Sequence, residues 1–472
     1  MKLNKLMGKS SGCIFGKAAA AAAVAASVAG AAYGSGFALY EGSTAGTALG
    51  GGVMGKAVDA SANFYNPATL SDFTNTVITV GFLTEHPTMD YTVDGRHGRK
   101  MDPGGFMLPH FMVAQPLGYG FTFGFGIAPE YGLGSHYHKS WDLNWDTRST
   151  TIKGISFNPN LSYEITEDWS VAAGFRIMFF SFEQYSEPTA AANGAEYGAM
   201  RSHIDADNNF ADWGWQIGTR YKILDNLSVG LLYKSYIDTK IRGTQEMSIR
   251  RRDYSAAYSQ ADAMAAAAVA PYAGTPFYDA ALAQAQTTAR ATAKNTVDST
   301  LKSAAKSHTG HGGADIRLPQ SLTLGLNWDI TDTLHFGTAV SWTQWSSLQK
   351  IDFDLPGGQE TVPLKFDDTI RAGGGFAWDF HENFTAMASY VYDQNACSHY
   401  HNSTMLPPGD RHIATFGLAW HWRNWRVDAC YGVVYMAGES TFITNRQTGE
   451  RHKFDTHDGK SRSAGLSVTY FF

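Results

Sequence analysis

Arg462-Ser463-Ala464-Gly465-Leu466-Ser467-Val468-Thr469-Tyr470-Phe471-Phe472 is the stretch whose reading decides the fold. Ala464, Leu466, Val468, Tyr470 and Phe472 share one phase with Arg462, while Ser463, Gly465, Ser467, Thr469 and Phe471 share the other. That is the period-two pattern of a strand with one apolar and one mostly small or polar face. The same alternation recurs upstream. Leu322, Leu324, Leu326, Trp328 and Ile330 oppose Ser321, Thr323, Gly325, Asn327 and Asp329. Ile370, Ala372, Gly374, Phe376, Trp378 and Phe380 oppose Arg371, Gly373, Gly375, Ala377 and Asp379. Trp213, Trp215, Ile217 and Tyr221 oppose Asp212, Gly214, Gln216 and Arg220. In these three upstream strands charges keep to the small-residue phase, as a lipid-facing wall around a polar lumen requires.

Composition agrees with a membrane barrel. Only 17% of the 472 residues are charged, against about 25% in an ordinary soluble domain. Forty-nine glycines with 28 Phe and 23 Tyr favour many short strands and tight turns. No run in the mature part approaches the ~18 apolar residues of a spanning helix. A net charge of -6 without clusters gives no nucleic-acid surface. Turns at Pro116 to Gly118, Thr166 to Asp168, Leu224 to Asn226, Thr331 to Thr333, His381 to Asn383 and Arg423 to Asn424 alternate with long polar segments. They divide the chain into about fourteen antiparallel strands, with the short turns periplasmic. Trp141, Trp145, Trp169, Trp213, Trp342, Trp345, Trp420, Trp422 and Trp425 lie near strand ends, as interfacial girdles do. Some are expected in the core or loops instead.

Lys2, Lys5, Lys9 and Lys17 precede the alanine-rich run Ala18 to Ala29, the pattern of an export signal. Cleavage is expected near Gly34, which makes residues 1–34 the signal peptide. Cys13 precedes the apolar run, unlike a lipid-attachment cysteine, and Cys397 and Cys430 alone form no disulfide framework. The terminal strand ending in Phe472 resembles the signal that directs barrels to outer-membrane assembly. Residues 35–74, rich in Gly, Ala and Ser, break the strand pattern and are read as a compact lumen-filling segment, a disordered periplasmic tail being the alternative. Residues 75–472 form the barrel. Within it, 245–317 is a long extracellular loop, helical around Ala265 to Ala268, stopped at Pro271 and restarted with Thr275 as cap and Pro276 at the first helical position. Its apolar members Met264, Val269, Phe277, Leu282, Val297 and Leu301 are expected mainly to pack.

Ser35-Gly36-Phe37-Ala38-Leu39-Tyr40-Glu41-Gly42-Ser43 and Ala62-Asn63-Phe64-Tyr65-Asn66-Pro67-Ala68 resemble the mature start and Asn-Pro-Ala motif of the FadL-type (OmpP1/FadL/TodX) outer-membrane transporters. Further matches are Glu130-Tyr131-Gly132-Leu133, Leu318-Pro319-Gln320-Ser321, Trp342-Thr343-Gln344-Trp345-Ser346, Phe366 to Arg371 and Leu406 to Arg411. The ordered set covers the mature chain. The resemblance implies a fourteen-stranded barrel plugged by an N-terminal hatch in the outer membrane of a Gram-negative bacterium. It also implies import of long-chain fatty acids or similar hydrophobic molecules. Cargo would bind in an apolar groove between loops at about 187 to 209 and 245 to 317, pass the hatch, and leave through a wall gap beside the third strand. Aromatic hydrocarbons are the alternative cargo. Outer-membrane lipid and lipopolysaccharide are expected partners of a monomeric protein without cofactor, and Asn66, Pro67 and Ala68 would fix a turn of the hatch.

The chain gives its own sign of such a gap. Pro109, Pro129 and Pro159 fall in the second, third and fourth strands, where proline cannot donate to a ladder. Pro129 and Pro159 are expected at similar height, with Gly124, Gly126, Gly132 and Gly134 easing a bend; a bulge at each proline is the plain alternative. A fatty-acid carboxylate needs a cation in a poorly hydrated cavity, and the lumen-phase candidates are Arg176, Arg220, Lys234 and Arg371. Structural ion pairs with Glu164, Asp379 or Asp428 are the other explanation of those charges. No Gly-x-Ser-x-Gly elbow or His-Glu-x-x-His helix appears. The pairs His136/His138, His308/His311 and His399/His401 read as surface histidines rather than metal ligands. The chain is thus expected not to be an enzyme. An outer-membrane hydrolase and a general diffusion porin stay as rival classes.

Overall fold

The computed structural model describes residues 36–98, 100–192, 195–397, 403–445 and 448–472; the expected export signal lies outside them. Fourteen antiparallel strands close into a barrel. They are β1 Val77–Val93, β2 Phe106–Gly118, β3 Phe121–His136, β4 Ser149–Thr166, β5 Trp169–Ser186, β6 Asp212–Leu224 and β7 Leu227–Lys234. The ring continues through β8 Ser321–Asp329, β9 Leu334–Thr343, β10 Thr369–His381, β11 Phe384–Asp393, β12 Arg411–Trp422, β13 Trp425–Met436 and β14 Arg451–Phe471. Closure is between β1 and β14, in register from Val77 with Phe471 to Val93 with Phe454. A closed ladder leaves no sheet edge in lipid.

Side chains alternate as the sequence requires. In β14, Ser463, Ser467 and Thr469 are buried in the lumen while Leu466 faces outward, exposed. Trp169, Trp420, Trp422 and Trp425 are exposed beside the short turns. Three members of the expected girdle are not in it. Trp145 sits in the loop before β4, its ring 6.1 Å from that of His452. Trp141 is buried, stacked on Tyr137 at 3.9 Å with its Nε1–H donated to the Thr147 carbonyl at 2.9 Å. Trp345 is buried against Phe37, 4.7 Å between ring centroids. The two buried rings belong to segments folded over the barrel mouth, where a large ring gains more by covering apolar neighbours than by sitting in a lipid interface.

Above the lipid belt a second tier of strands extends the wall: Ala195–Asp207, Ile237–Arg252, Gly310–Leu318, Lys350–Leu355 and Gly358–Pro363. Pairing of Ile237–Arg252 with its neighbours runs beyond Gln245, out to Arg252 with Gly198. Four α-helices complete the described fold, α1 Thr44–Ala48, α2 Ala62–Tyr65, α3 Ser255–Val269 and α4 Tyr278–Ser307. Helices α3 and α4 pair through Arg290 and Asp262 at 2.7 Å and through the Tyr254 hydroxyl donated to Asp298 at 2.9 Å. Val297 and Leu301 bury α4 against Met200 of the upper tier, whereas Met264 and Phe277 stay exposed. The expected cap at Thr275 is not formed. Its hydroxyl instead donates to the Tyr272 carbonyl at 2.7 Å, closing the preceding turn, and α4 starts at Tyr278.

The hatch fills the lumen rather than trailing as a tail. Leu39, Leu49, Val53, Met54, Phe64 and Leu70 form one buried cluster with Leu83, Leu108, Met112, Leu232 and Met387 of the wall. Burying such a side chain is worth about 1.5–3 kcal/mol. On one side the hatch backbone lies directly on the wall. A Cβ added at Gly230 would stand 2.0 Å from the Met54 carbonyl oxygen, and one at Gly337 would stand 1.9 Å from that of Gly52.

Candidate functional site

The β2–β3 ladder starts at Gly118 with Phe121 and ends at Phe111 with Ile127. β2 stays paired with β1 as far as Phe106, and β3 stays paired with β4 as far as His136. Above Phe111 and Ile127 the two strands therefore part. Two residues further along each, in the same register, stand Pro109 and Pro129, and neither has an N–H to give. β3 then bulges at Glu130 and its freed edge is taken by the hatch. Leu39 N–H donates to the Glu130 carbonyl and Gly132 N–H to the Phe37 carbonyl, both at 2.8 Å. Pro159 is not level with Pro129. It lies opposite Phe125, whereas Pro129 faces Ile155, because β4 runs further below the joining loop to its proline than β3 does. Pro159 falls where pairing of β4 with β5 skips from Phe157–Ile177 to Asn160–Gly174.

Three of the four expected cations meet beside this bulge. Arg176, Lys234 and Arg371 line one inner pocket of about 60 Å³ with Leu39, Tyr40, Phe64, Tyr65, Leu232, Glu130 and Tyr131. The partners differ from Glu164, Asp379 and Asp428. Arg176 is held by Glu130, its Nε at 3.0 Å and its Nη2 also in contact, and donates from Nη1 to the Ser235 carbonyl at 2.9 Å. Lys234 Nζ is 3.7 Å from Glu130 and 4.3 Å over the Phe64 ring. Arg371 lies 4.4 Å over the Tyr40 ring and has no carboxylate at ion-pair distance among the described residues. Glu130 is thus the one acid facing three bases, and the pocket carries two surplus positive charges. Arg220 is elsewhere, bound to hatch Asp72 at 2.7 Å and to Ser170 at 3.2 Å. Asp379 contacts His335 at 3.1 Å, and Asp428 pairs with Arg426 at 2.8 Å. Sequence reasoning quoted Glu130 only as part of a motif; a lone acid in the uncharged run Ile127 to Leu133 was the available signal.

The hatch motif anchors the plug. Asn66 Oδ1 accepts the Ala68 N–H at 3.2 Å, and its Nδ2 donates to the carbonyls of Met54 at 2.7 Å and Thr219 at 3.1 Å. Pro67 opens the short 3-10 turn Pro67–Asp72, where a missing N–H costs nothing. The Ala68 carbonyl accepts the Ser170 hydroxyl at 2.8 Å and the Ser162 hydroxyl at 3.3 Å. Tyr65 donates its hydroxyl to the Tyr40 carbonyl at 3.0 Å, and burial raises its pKa, keeping the phenol neutral.

A larger cavity of about 510 Å³ opens among the extracellular segments, a size typical of small-molecule sites. Ala190, Met200, Ile204, Met247, Leu301 and Val362 line it with polar neighbours, and no Lys or Arg does among the described residues. It lies where the groove between the two loops was expected. A periplasmic vestibule of about 610 Å³ is lined by Lys56 and Val58 of the hatch and by residues of β8 to β13, and Lys56 reaches Asp329 of β8 at 2.6 Å. No group of three His, Cys, Asp or Glu that could hold a metal occurs among the described residues. His138 contacts Ser140 at 2.7 Å and His308 contacts the Ala304 carbonyl at 2.8 Å; His399 and His401 lie outside the described residues.

A closed fourteen-stranded barrel with a lumen plug defines an outer-membrane protein of the transporter type. Residues 25–472 match the family model described as "Outer membrane protein transport protein (OMPP1/FadL/TodX)", and the chain belongs to that family. It is 22% identical to outer membrane protein P1 of Haemophilus influenzae, over 92% of this chain and 95% of that protein. It is 24% identical to a 47 kDa outer membrane protein of Pasteurella multocida, over 92% and 94%. Among solved structures it is similar to a Pseudomonas aeruginosa FadL homologue, with TM-score 0.75 and 19% identity over 93% of this chain and 100% of that one. The Pseudomonas putida toluene transporter TodX superposes with TM-score 0.62 and 16% identity, over 91% and 98%.

Proposed function

We propose that the protein imports long-chain fatty acids, without catalysing a reaction, by three steps along one path. Cargo enters the extracellular cavity, its carboxylate moves to Arg371 and Lys234, and its chain leaves sideways between β2 and β3 above Phe111 and Ile127. The carrying observation is that the parted strands and the surplus cations meet at one residue, Glu130, which belongs to both the bulge and the pocket. The inner pocket admits a carboxylate but not an acyl chain, so the hatch shifts for passage. A carboxylic acid suits this pocket better than an aromatic hydrocarbon, which has no use for two unmatched cations. A porin reading is disfavoured by the plugged lumen, and a hydrolase reading by the engagement of Glu130 and Arg176 with each other.

A reversible disulfide between Pro109→Cys and Pro129→Cys tests the exit. With the bridge formed, uptake of labelled fatty acid by cells should stop, resume on reduction, and leave binding to the purified protein unchanged. Uptake at the parental rate with the bridge demonstrably formed overturns lateral release. Mass spectrometry of lipids co-purifying with the protein tests the cargo, and neutral hydrocarbons in place of carboxylic acids would overturn the fatty-acid reading.

A further inference from the structure

On the outer face of the upper tier three guanidiniums converge on one carboxylate. Oε1 of buried Glu187 lies 3.1 Å from Arg148 Nη1, 3.4 Å from Arg250 Nε and 3.9 Å from Arg201 Nη2. The fold brings them together from three segments. Arg201 comes from the strand whose Ser202 opposes Ser186, Arg250 from the bulge between Ile249 and Arg251, and Arg148 is placed by its N–H donated to the Tyr185 carbonyl at 2.7 Å. Neighbouring arginines are matched: Arg251 to Glu196 at 2.8 Å and Arg252 to Asp298 at 3.0 Å. The triad is not. It carries two positive charges more than its acid, and Arg201 Nε is buried with no partner. Three cations within 4 Å of one oxygen repel one another, and a second anion relieves that repulsion.

The placement narrows the anion. Glu187 stands just beyond the end of β5 at Ser186; neither it nor Arg148, Arg201 or Arg250 lines the cavity, whereas the alternate residues Ser186, Pro188, Met200 and Ser202 do. The triad therefore points away from the cargo path. The neighbour of Glu187, Ser186, is the last residue of β5 and is seven residues above Phe179; at about 3.3 Å per residue with a tilt of about 45° it stands roughly 16 Å above that lipid-facing residue. Headgroups reach only about 5–8 Å beyond the hydrocarbon, so the triad lies at the level of sugars carried by outer-leaflet glycolipid. Guanidinium forks match phosphate oxygens in pairs. We propose that Arg148, Arg201 and Arg250 bind a phosphate monoester on the core sugars of that glycolipid and fix the barrel to its lipopolysaccharide neighbours.

The test uses the full chain purified in detergent and lipopolysaccharide with a phosphorylated core, before and after phosphatase treatment, with bound glycolipid counted by native mass spectrometry. Parent protein should retain the phosphorylated form and release it to millimolar inorganic phosphate. The Arg201→Gln/Arg250→Gln pair, which removes two of the three guanidiniums, should bind it at least about tenfold more weakly. Glu187→Gln, which removes the competing acid, should bind at least as tightly as the parent, and the control Arg251→Gln should match it. Heat-modifiable migration confirms that each variant is folded. Equal retention by the double variant, equal retention of dephosphorylated glycolipid, or weaker retention by Glu187→Gln overturns the site. Inorganic phosphate held as tightly as the glycolipid overturns the lipid source.

Discussion

Glu130→Gln separates the structural role of the inner pocket from its ligand role. The carboxylate is buried, accepts the Ser156 hydroxyl at 2.8 Å and the Asn158 amide at 3.2 Å, and among the described residues is the one acid paired with Arg176 and Lys234. Glutamine keeps the volume and one acceptor but turns an N–H donor group toward the Arg176 donors. Breaking one partner of a buried ion pair costs about 3–5 kcal/mol, so the empty variant should unfold at a clearly lower temperature. A fatty-acid carboxylate in the pocket supplies the missing charge. At a concentration of about one hundred times its Kd a ligand adds about 2.7 kcal/mol, and the variant, with three unmatched cations instead of two, should gain more than the parent. The assay is the temperature of heat-modified migration in detergent, with a long-chain fatty acid and with its methyl ester. Rescue of the variant by the acid and not by the ester is the expected result. A variant as stable as the parent, or one rescued equally by the ester, refutes the reasoning.

Gly230→Ala sets a methyl 2.0 Å from the Met54 carbonyl, so the hatch must shift; liposome swelling should show faster entry of small polar solutes with the barrel intact. Pro109→Val with Pro129→Val returns two donors, each worth about 0.5–1.5 kcal/mol if the ladder re-forms, and should slow fatty-acid uptake while extracellular binding persists. Asn66→Ala removes the contacts to Met54, Thr219 and Ala68; protease cleavage within residues 50–70 should become detectable where the parent resists. At the surface, the Arg290 hydrogen bond lowers the Asp262 pKa from 3.8. Its contribution to the helical hairpin is present above that value and is lost as pH falls through the lowered one. Cleavage of the hairpin by an acid-active protease should therefore rise only below the ordinary carboxylate range, and in Asp262→Asn that rise should be smaller.

The wall was legible because each strand obeys one rule, small or polar inward and apolar outward, and that rule is written in consecutive residues such as Leu322 to Ile330. The prolines were legible singly. That Pro109 and Pro129 continue one register was not, since register follows from the turn at Gly118 and Phe121 and from pairing among strands. Arg176 and Arg371 were found by phase, but their inequality was hidden. One is neutralised by an acid two strands away and the other is left with a tyrosine ring, and only closure of the ring decides which. Trp141 and Trp345 were misplaced for a related reason, since a strand end marks a membrane boundary only when the chain beyond it does not fold back over the mouth.

The contacts at Gly230 and Gly337 limit how the plug can travel. A carbonyl already resting on a bare α-carbon has nowhere to go in that direction, so β7 and β9 act as a doorstop. Side-chain anchors elsewhere, such as Asn63 to Asn160 at 2.9 Å, can stretch or exchange partners, and the strand-like contact of Phe37 to Leu39 with β3 can unzip. For the hatch shift proposed above, the open direction is therefore away from this stop, toward the side of the ring where β2 and β3 have already let go of each other.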